Sequence, residues 1–196
     1  MSLIVRPLTP SRWPDLEAIF NAKGCSVARG CWCMYYRLSG KGPLTRPGEG
    51  QRLRAENALQ ALAARDPPPG LVGYRGKTPV GWVSLGPRGH YAKLANSPVM
   101  KSVDDQPVWS VVCFVVPSEY RKQGVASELL AGAVQYARKR GVRLLEAYPV
   151  DKSVASAAQA SGFGSKRMFD EAGFEEVVRR RPDRPVVRLK LVGEIQ

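Results

Sequence analysis

The fold is decided by the stretch Val115-Val116-Pro117-Ser118-Glu119-Tyr120-Arg121-Lys122-Gln123-Gly124-Val125-Ala126, where an apolar run ends and an amphipathic helix begins. Residues 108–116 are rich in β-branched and apolar side chains, which is typical of a strand buried on both faces. Residues 125–137 repeat apolar side chains at helical spacing, and Gly141 ends that pattern. Residues 144–148 are predicted to form a second strand. This order predicts a strand, a crossover helix and a second strand parallel to the first.

The elements on either side of this unit follow from periodicity and from glycine and proline breaks. The predicted order is a strand over 3–6, a helix from Trp13 to near Gly24, a helix over 51–65, strands over 71–75 and 80–85, a short helix ending at Gly173, and strands over 174–180 and 186–191. Both strand pairs are predicted to be hairpins. The stretches 25–50, 86–107 and 153–165 lack a clear period and are predicted to be irregular.

Size and composition indicate one globular domain over residues 1–196, since 44% of the chain is hydrophobic and 24% is charged. The longest apolar run, Val111 to Val116, has six residues, whereas a membrane span needs roughly 20. The apolar start of the chain meets Arg6 and Pro7 too early for a secretory signal. We therefore expect a cytoplasmic protein, and its four cysteines are expected to be reduced thiols.

The charge balance is strongly basic. Thirty Lys and Arg face 17 Asp and Glu, which gives a net charge of +13. Such a field gathers phosphates, acidic metabolites or nucleic acid, although a solvated basic surface explains the scattered charges equally well. A nucleic-acid-binding module without catalysis is therefore an alternative function, but the sequence contains no recognised motif for it.

The turn before the predicted crossover helix is a candidate anion site. Main-chain N–H groups at a helix N-terminus lack partners within the helix and lie at the positive end of its dipole. Gly124 lets an anion approach the main chain closely, and Arg121 and Lys122 add positive charge on the same rim. The alternative is an ordinary strand-to-helix turn with solvated bases.

The hexapeptide Arg121-Lys122-Gln123-Gly124-Val125-Ala126 resembles the Arg/Gln-x-x-Gly-x-Gly/Ala signature of the GNAT superfamily of acyl-CoA-dependent N-acetyltransferases. The resemblance extends to the strand before it, the helix and strand after it, and the segment from Met168 to Phe174. It implies an α/β fold of the GNAT type, in which helices flank a central mixed twisted β-sheet with splayed parallel central strands. It also implies that acetyl-CoA donates an acetyl group to a primary amine, which attacks the thioester directly. No metal is expected.

The resemblance further implies a set of cofactor contacts. Amides of the turn and of the first helical residues would cradle the pyrophosphate of coenzyme A, and the end of the preceding strand would pair with the pantetheine arm. The implied contacts are Cys113, Phe114, Val115, Val116, Arg121, Lys122, Gln123, Gly124, Val125, Ala126, Ser127 and Phe169.

The resemblance leaves the proton transfers open. Phe169 stands where the family usually has a tyrosine acid, and Gly162 stands where an asparagine is common. Tyr148 is the nearest alternative phenol, and Glu146 is the candidate base because strand alternation puts both on one face. A salt bridge from Glu146 to an arginine is the alternative role. A family member that binds acyl-CoA without transferase activity is therefore also possible.

The acceptor pocket is implied to lie after the first helix and in the loop over 86–107. Trp32, Tyr35 and Tyr36 are its candidate lining residues, because aromatic rings suit an amine or a flat substrate. A plain core role is the alternative for this run of apolar and aromatic residues. The acceptor is expected to be a small-molecule or peptide amine.

Two weaker features remain. Cys25, Cys31 and Cys33 do not have the spacing of a common zinc site, and His90 is the only histidine, so the cysteines are predicted to be small buried hydrophobes. The last two predicted strands would offer an edge for a homodimer.

Overall fold

The computed structural model describes residues 3–39, 48–154 and 162–191, and these residues form a sheet of seven strands. The strands are β1 (Ile4–Pro7), β2 (Gly70–Arg75), β3 (Thr78–Pro87), β4 (Trp109–Val115), β5 (Leu144–Ala147), β6 (Glu175–Arg181) and β7 (Arg184–Lys190). The helices are α1 (Trp13–Asn21), α2 (Ser26–Cys31), α3 (Glu49–Leu62), α4 (Ala92–Ala95), α5 (Val125–Lys139) and α6 (Lys166–Glu171).

The strands are arranged in the order β1-β2-β3-β4-β5-β7-β6. Only β4 and β5 are parallel, and the other neighbouring strands are antiparallel. Because α5 connects the two parallel strands, the predicted strand, crossover helix and strand are confirmed. Both predicted hairpins, β2 with β3 and β6 with β7, are also present. The sheet is open and mixed, as the GNAT-type prediction requires.

Helix α5 packs closely on one face of the sheet. Leu129, Leu130 and Ala133 are fully buried, and complete burial of each leucine contributes roughly 1.5–3 kcal/mol. A Cβ at Gly132 would lie only 2.4 Å from Val5 Cγ2, so the absent side chain is what lets the helix approach β1. This packing fixes the N-terminus of α5 next to the end of β4.

The other face of the sheet is covered by α1, α2 and α3. The ring of Trp32 stacks between Trp13, with ring centroids 5.4 Å apart, and Phe20, with centroids 4.9 Å apart. This stack packs with Trp82 of β3 in one apolar cluster. A further cluster lies under the segment between β3 and β4 and contains Tyr148.

Several sequence predictions need correction. The stretch 25–50 is not wholly irregular, because α2 begins directly after Cys25 and α3 already begins at Glu49. The segment between β3 and β4 contains α4 and a short 3-10 turn over 88–90. Residues 40–47 and 155–161 of the predicted irregular stretches lie outside the described residues. Strand β6 is an edge of the sheet, while its use in a homodimer stays a prediction.

Within the described ranges, no helix combines the length and the apolar character that crossing a membrane requires.

Candidate active site

The parallel strands β4 and β5 separate part of the way along the sheet. They pair only from Trp109 opposite Leu145 to Val111 opposite Ala147, whereas β4 continues beside β3 as far as Val115. The β3–β4 register shifts after Ser84, which leaves Val112 as a bulge just before Cys113. The separation creates an opening beside the end of β4, as the predicted splayed strands require.

A short main-chain segment lies against this opening. The Phe114 N–H donates to the Gly162 carbonyl oxygen at 2.6 Å, and the Val150 N–H donates to the Gly164 carbonyl oxygen at 3.0 Å. Between them, Phe163 packs edge-to-face on Tyr36, with centroids 5.5 Å apart. The edge of β4 at Phe114 therefore already binds a main-chain carbonyl in this structure.

The turn from β4 into α5 is open to solvent. Residues 121–124 are exposed, Gly124 is the N-cap of α5 with φ of 78°, and no side chain of the described residues caps this helix. A Cβ built on Gly124 would meet no atom within 4 Å. With its main-chain amides uncapped and space above them, the 15-residue helix offers an accessible anion site. The candidate site deduced from the sequence is therefore sterically available.

Arg121 is exposed in the turn, and its guanidinium group has hydrogen-bond partners within the protein. Its Nε donates to the Val116 carbonyl oxygen at 2.9 Å, and its Nη2 donates to the Gly24 carbonyl oxygen at 2.6 Å. The guanidinium group therefore ties the turn to the segment after α1. Lys122 is exposed beside it, with φ of 61°.

Sequence reasoning missed Arg75, which lies at the end of β2. Its Nη1 donates to Gln123 Oε1 at 2.6 Å, and its Nη2 donates to the Gln123 carbonyl oxygen at 3.0 Å. Gln123 in turn donates from Nε2 to the Glu119 carbonyl oxygen at 2.6 Å. Arg75 is 48 residues from the motif, and only the order of strands in the sheet brings the two together.

Glu146 lies in a buried network of ion pairs. Its Oε1 accepts hydrogen bonds from Arg88 Nη1 at 3.0 Å and from the Tyr148 hydroxyl at 2.7 Å, and its Oε2 accepts one from Arg188 Nε at 2.8 Å. Arg188 also donates to both carboxylate oxygens of Asp104, at 2.6 and 3.0 Å. The structure thus shows the salt bridge that was the alternative role for this carboxylate.

Tyr148 belongs to the same network. Its hydroxyl lies 2.9 Å from Ser110 Oγ and donates to Glu146. Burial, followed by the negative charge of Glu146, raises the pKa of Tyr148, so the phenol keeps its proton. The sequence correctly placed Glu146 and Tyr148 on one face, and the structure directs their polar atoms toward each other and toward Arg88.

Phe169 is fully buried beneath the end of β4. Its ring meets Phe114 edge-to-face with centroids 6.2 Å apart, and Phe174 with centroids 5.0 Å apart. The side chain therefore supports the strand that borders the opening.

The three acceptor candidates fall into two environments. Trp32 is 1% exposed inside the aromatic stack, so the structure places it in the core rather than in a pocket. Tyr35 and Tyr36 are half-buried and meet edge-to-face with centroids 4.9 Å apart. Lys93 Nζ lies 3.7 Å from the centroid of the Tyr35 ring. Burial raises the pKa of Tyr36 to about 12.

All four cysteines carry unpaired thiols. Cys33 Sγ and Cys113 Sγ lie 3.0 Å apart, a contact that the sequence analysis did not predict. Among the residues that the structure describes, no group of three or more His, Cys, Asp or Glu side chains is placed to hold a metal ion.

A cavity of about 730 Å³ lies at the other end of β4, beside Arg88, Trp109 and Arg143. Because β4 runs from Trp109 to Val115, the cavity and the opening are at opposite ends of the strand. The seven residues of this strand span roughly 20 Å, so the cavity is separate from the opening.

The fold and the opening together define a class of protein, the mixed α/β proteins whose two parallel central strands separate beside the N-terminus of the crossover helix. The sequence profile of the acetyltransferase (GNAT) family matches residues 34–174, which is more than half of the chain. The chain therefore belongs to the GNAT acetyltransferase family. No curated protein sequence matches it significantly.

Solved structures of similar fold include the PaiA N-acetyltransferase from Thermoplasma acidophilum in complex with coenzyme A, at 15% identity and a TM-score of 0.54 over 97% of this chain and 99% of that one. The polyamine N-acetyltransferase of Drosophila melanogaster has 14% identity and a TM-score of 0.56 over 97% and 100% of the two chains. An acetyltransferase from Thermus thermophilus has 17% identity and a TM-score of 0.53 over 97% and 98%. At such low identities, the likeness concerns the fold alone.

Proposed function

We propose that this chain is an acetyl-CoA-dependent N-acetyltransferase, which transfers an acetyl group to a primary amine by direct attack of the amine on the thioester. The observation that carries the proposal is the separation of β4 and β5 beside an exposed and uncapped N-terminus of α5. The edge of β4 and the uncapped N-terminus of α5 thus border the same opening. Membership of the GNAT family, and a structure of similar fold in complex with coenzyme A, support the same function.

The turn before α5 fits the pyrophosphate of the cofactor, which would supply the acetyl group as a thioester. The phosphates would be held by main-chain amides of the turn and first helical residues, namely Gln123, Gly124, Val125, Ala126 and Ser127. Unpaired N–H groups and the helix dipole favour an anion there, and the space above Gly124 admits one. Lys122 would add charge, whereas Arg121 would act by holding the turn in place.

The edge of β4 from Cys113 to Val115, together with Val116 directly after it, would bind the extended arm of the cofactor through its main chain. Phe114 already presents an N–H donor at this edge, and the Gly162 carbonyl oxygen accepts from it. A ligand that pairs with Phe114 takes the place of that carbonyl, so residues 162–164 have to shift when the arm binds. Phe169 would support this edge through its contact with the Phe114 ring.

Tyr35 and Tyr36 would line the acceptor side. Tyr36 contacts Phe163, whose neighbour Gly162 lies against β4, so this ring is next to the opening. An amine that arrives as a cation is attracted to aromatic faces, and it must lose its proton before it attacks the thioester. The acceptor would be a small-molecule or peptide amine, and the net charge of +13 favours one that carries acidic groups.

The assignment of Glu146 as base and Tyr148 as acid stays a prediction, and the contacts of these residues argue against it. Both oxygens of Glu146 accept hydrogen bonds from arginines, so the carboxylate is already engaged inside the protein and does not face the opening with a free oxygen. A general base or acid contributes a factor of about 10² to 10⁴ in rate, so turnover persists when water takes up the proton instead.

The activity is tested by measuring thiol release from acetyl-CoA across a panel of amines, with and without acidic groups. We expect saturable thiol release that depends on the amine, and transfer of one acetyl group to the amine by mass spectrometry. Cofactor binding without amine-dependent thiol release across the panel would instead identify a family member that has lost its transferase activity. Binding of duplex DNA with a steep salt dependence, and none of acetyl-CoA, would favour the nucleic-acid alternative.

A further inference from the structure

Cys33 and Cys113 bring two thiols together from distant parts of the chain. Their Sγ atoms lie 3.0 Å apart, although 80 positions separate them in the sequence. A disulfide has an S–S bond of about 2.05 Å, so the two sulfur atoms need to approach by about 1 Å to form one. Both are unpaired thiols in this structure.

The backbone at Cys33 has an unusual conformation that the packing of neighbouring side chains stabilises. Trp32 has φ of 46° and Cys33 has φ of 51°, and two successive non-glycine residues with positive φ are uncommon. Such strain persists only where the surrounding structure fixes it. Here the stack of Trp32 between Trp13 and Phe20 anchors the segment directly before Cys33. The packing of the core therefore fixes the position of the Cys33 thiol.

Strand β4, which carries Cys113, is also irregular at this point. The bulge at Val112 precedes Cys113, and Val112 packs in the cluster with Tyr148 while Cys113 packs against the cluster of α1, α2 and α3. The bulge thus turns Cys113 toward the segment that carries Cys33. Cys113 is partly exposed, whereas Cys33 is buried.

We propose that Cys33 and Cys113 are a redox modification site that closes reversibly into a disulfide. The proposal does not depend on the proposed function. With a peroxide as the oxidant, the Cys113 sulfur attacks one peroxide oxygen and the O–O bond breaks. The proton of the thiol joins the departing oxygen, so water is released and a sulfenic acid remains on Cys113. The Cys33 sulfur then attacks the sulfenic sulfur, the S–S bond forms and a second water leaves. The two thiols lose two electrons and two protons, and the peroxide is reduced.

The order of these two steps follows from exposure. Burial raises the pKa of the Cys33 thiol well above its ordinary value, and burial raises the pKa of Cys31 to about 12. Both thiols therefore stay protonated at neutral pH, and a protonated thiol is a poor nucleophile. The oxidant meets the more exposed Cys113 first, and Cys33 resolves the sulfenic acid because its sulfur is already in contact.

The disulfide is tested by treating the reduced protein with hydrogen peroxide, alkylating the remaining thiols in denaturant and measuring the mass. We expect the number of alkylated thiols to fall from four to two, and the mass before alkylation to fall by two hydrogens, with reversal by a thiol reductant. Trypsin leaves Cys31 and Cys33 in one peptide, residues 30–37, and Cys113 in another, residues 102–121. These two peptides should be cross-linked.

Three variants assign the bond. The double variant Cys25→Ser with Cys31→Ser should still form the cross-link, whereas Cys33→Ser and Cys113→Ser should each lose it. Four alkylated thiols after peroxide treatment, or a cross-link that disappears in the double variant, would overturn the proposal.

A second measurement does not require either single variant to fold. Closing an 80-residue loop restricts the unfolded chain, so oxidation of the double variant should raise its melting temperature by about 5–15 °C, and reductant should reverse the rise. A melting temperature that is unchanged or lower after oxidation would contradict a disulfide that fits the native structure.

Discussion

Glu146 illustrates what the sequence can and cannot predict about a single residue. Alternation along β5 correctly put its side chain on the same face as Tyr148, and the cost of burying a charge predicted a partner. The partners are Arg88 and Arg188, which are 58 and 42 positions away in the chain. No local pattern predicts such contacts, because they depend on how β5, β7 and the segment after β3 come together.

This network gives a prediction for Glu146→Gln. The variant removes the buried carboxylate that pairs with Arg88, whereas Arg188 keeps its pair with Asp104, and it is expected to lower the free energy of unfolding by about 3–5 kcal/mol in urea titrations. The rate of the folded fraction should fall less than tenfold, with an unchanged pH profile. Glu171→Gln, which removes an exposed carboxylate paired with Arg167, should change stability little. A stable variant with a rate lowered by about 10² to 10⁴ would instead show that Glu146 is the base.

At the scale of elements, the sequence predicted the strand and the helix on either side of the signature motif. The start of α5 at Val125 and the strand before the turn were predictable, because local periodicity and Gly124 define them. The bulge at Val112, the short α2 and the contact of Arg75 with the turn were not predictable. Each of these three features depends on packing between elements that are far apart in sequence.

Arg75 gives a prediction at this scale. Arg75→Gln removes two hydrogen bonds from β2 to Gln123. The main-chain amides of the turn before α5 should then be fixed less firmly in position. We expect the dissociation constant for coenzyme A to rise by about 3- to 30-fold, since hydrogen bonds of a charged group each contribute up to a few kcal/mol. Isothermal titration calorimetry measures this change.

Lys77→Gln is the matched control for Arg75→Gln. Lys77 lies in the exposed turn of the same hairpin, and its substitution removes the same charge without touching Gln123. The dissociation constant of Lys77→Gln for coenzyme A should stay within about twofold of the parent value. Equal effects of the two variants would show that Arg75 acts only through net charge.

For the whole molecule, the order of local patterns was sufficient to predict a GNAT-type fold. The strand, helix and strand over 108–148 and the two hairpins leave few ways to build one sheet, because connections are short and crossovers are right-handed. The sequence could not predict where the pairing of β4 with β5 ends, since the apolar run of β4 continues past that point to Val115. It also could not predict that Cys33 meets Cys113, because the contact closes a long loop between the two halves of the fold.

The central claim is that the N-terminus of α5 binds the pyrophosphate of coenzyme A, and two glycines of one helix test it. Gly124 and Gly141 flank α5 at opposite ends, have φ of 78° and 70°, and both have open space where a Cβ would be. Aspartate at either position carries a similar backbone strain of about 1 kcal/mol, but only at Gly124 would its carboxylate face the proposed phosphate site.

The most direct measurement is therefore calorimetric titration of coenzyme A into the parent protein, Gly124→Asp and Gly141→Asp, each with its melting temperature recorded. We predict saturable binding to the parent protein, nearly the same affinity for Gly141→Asp, and at least tenfold weaker binding to folded Gly124→Asp. Absence of heat from the folded parent protein at millimolar coenzyme A, or equal affinities of the two variants, would contradict the central claim.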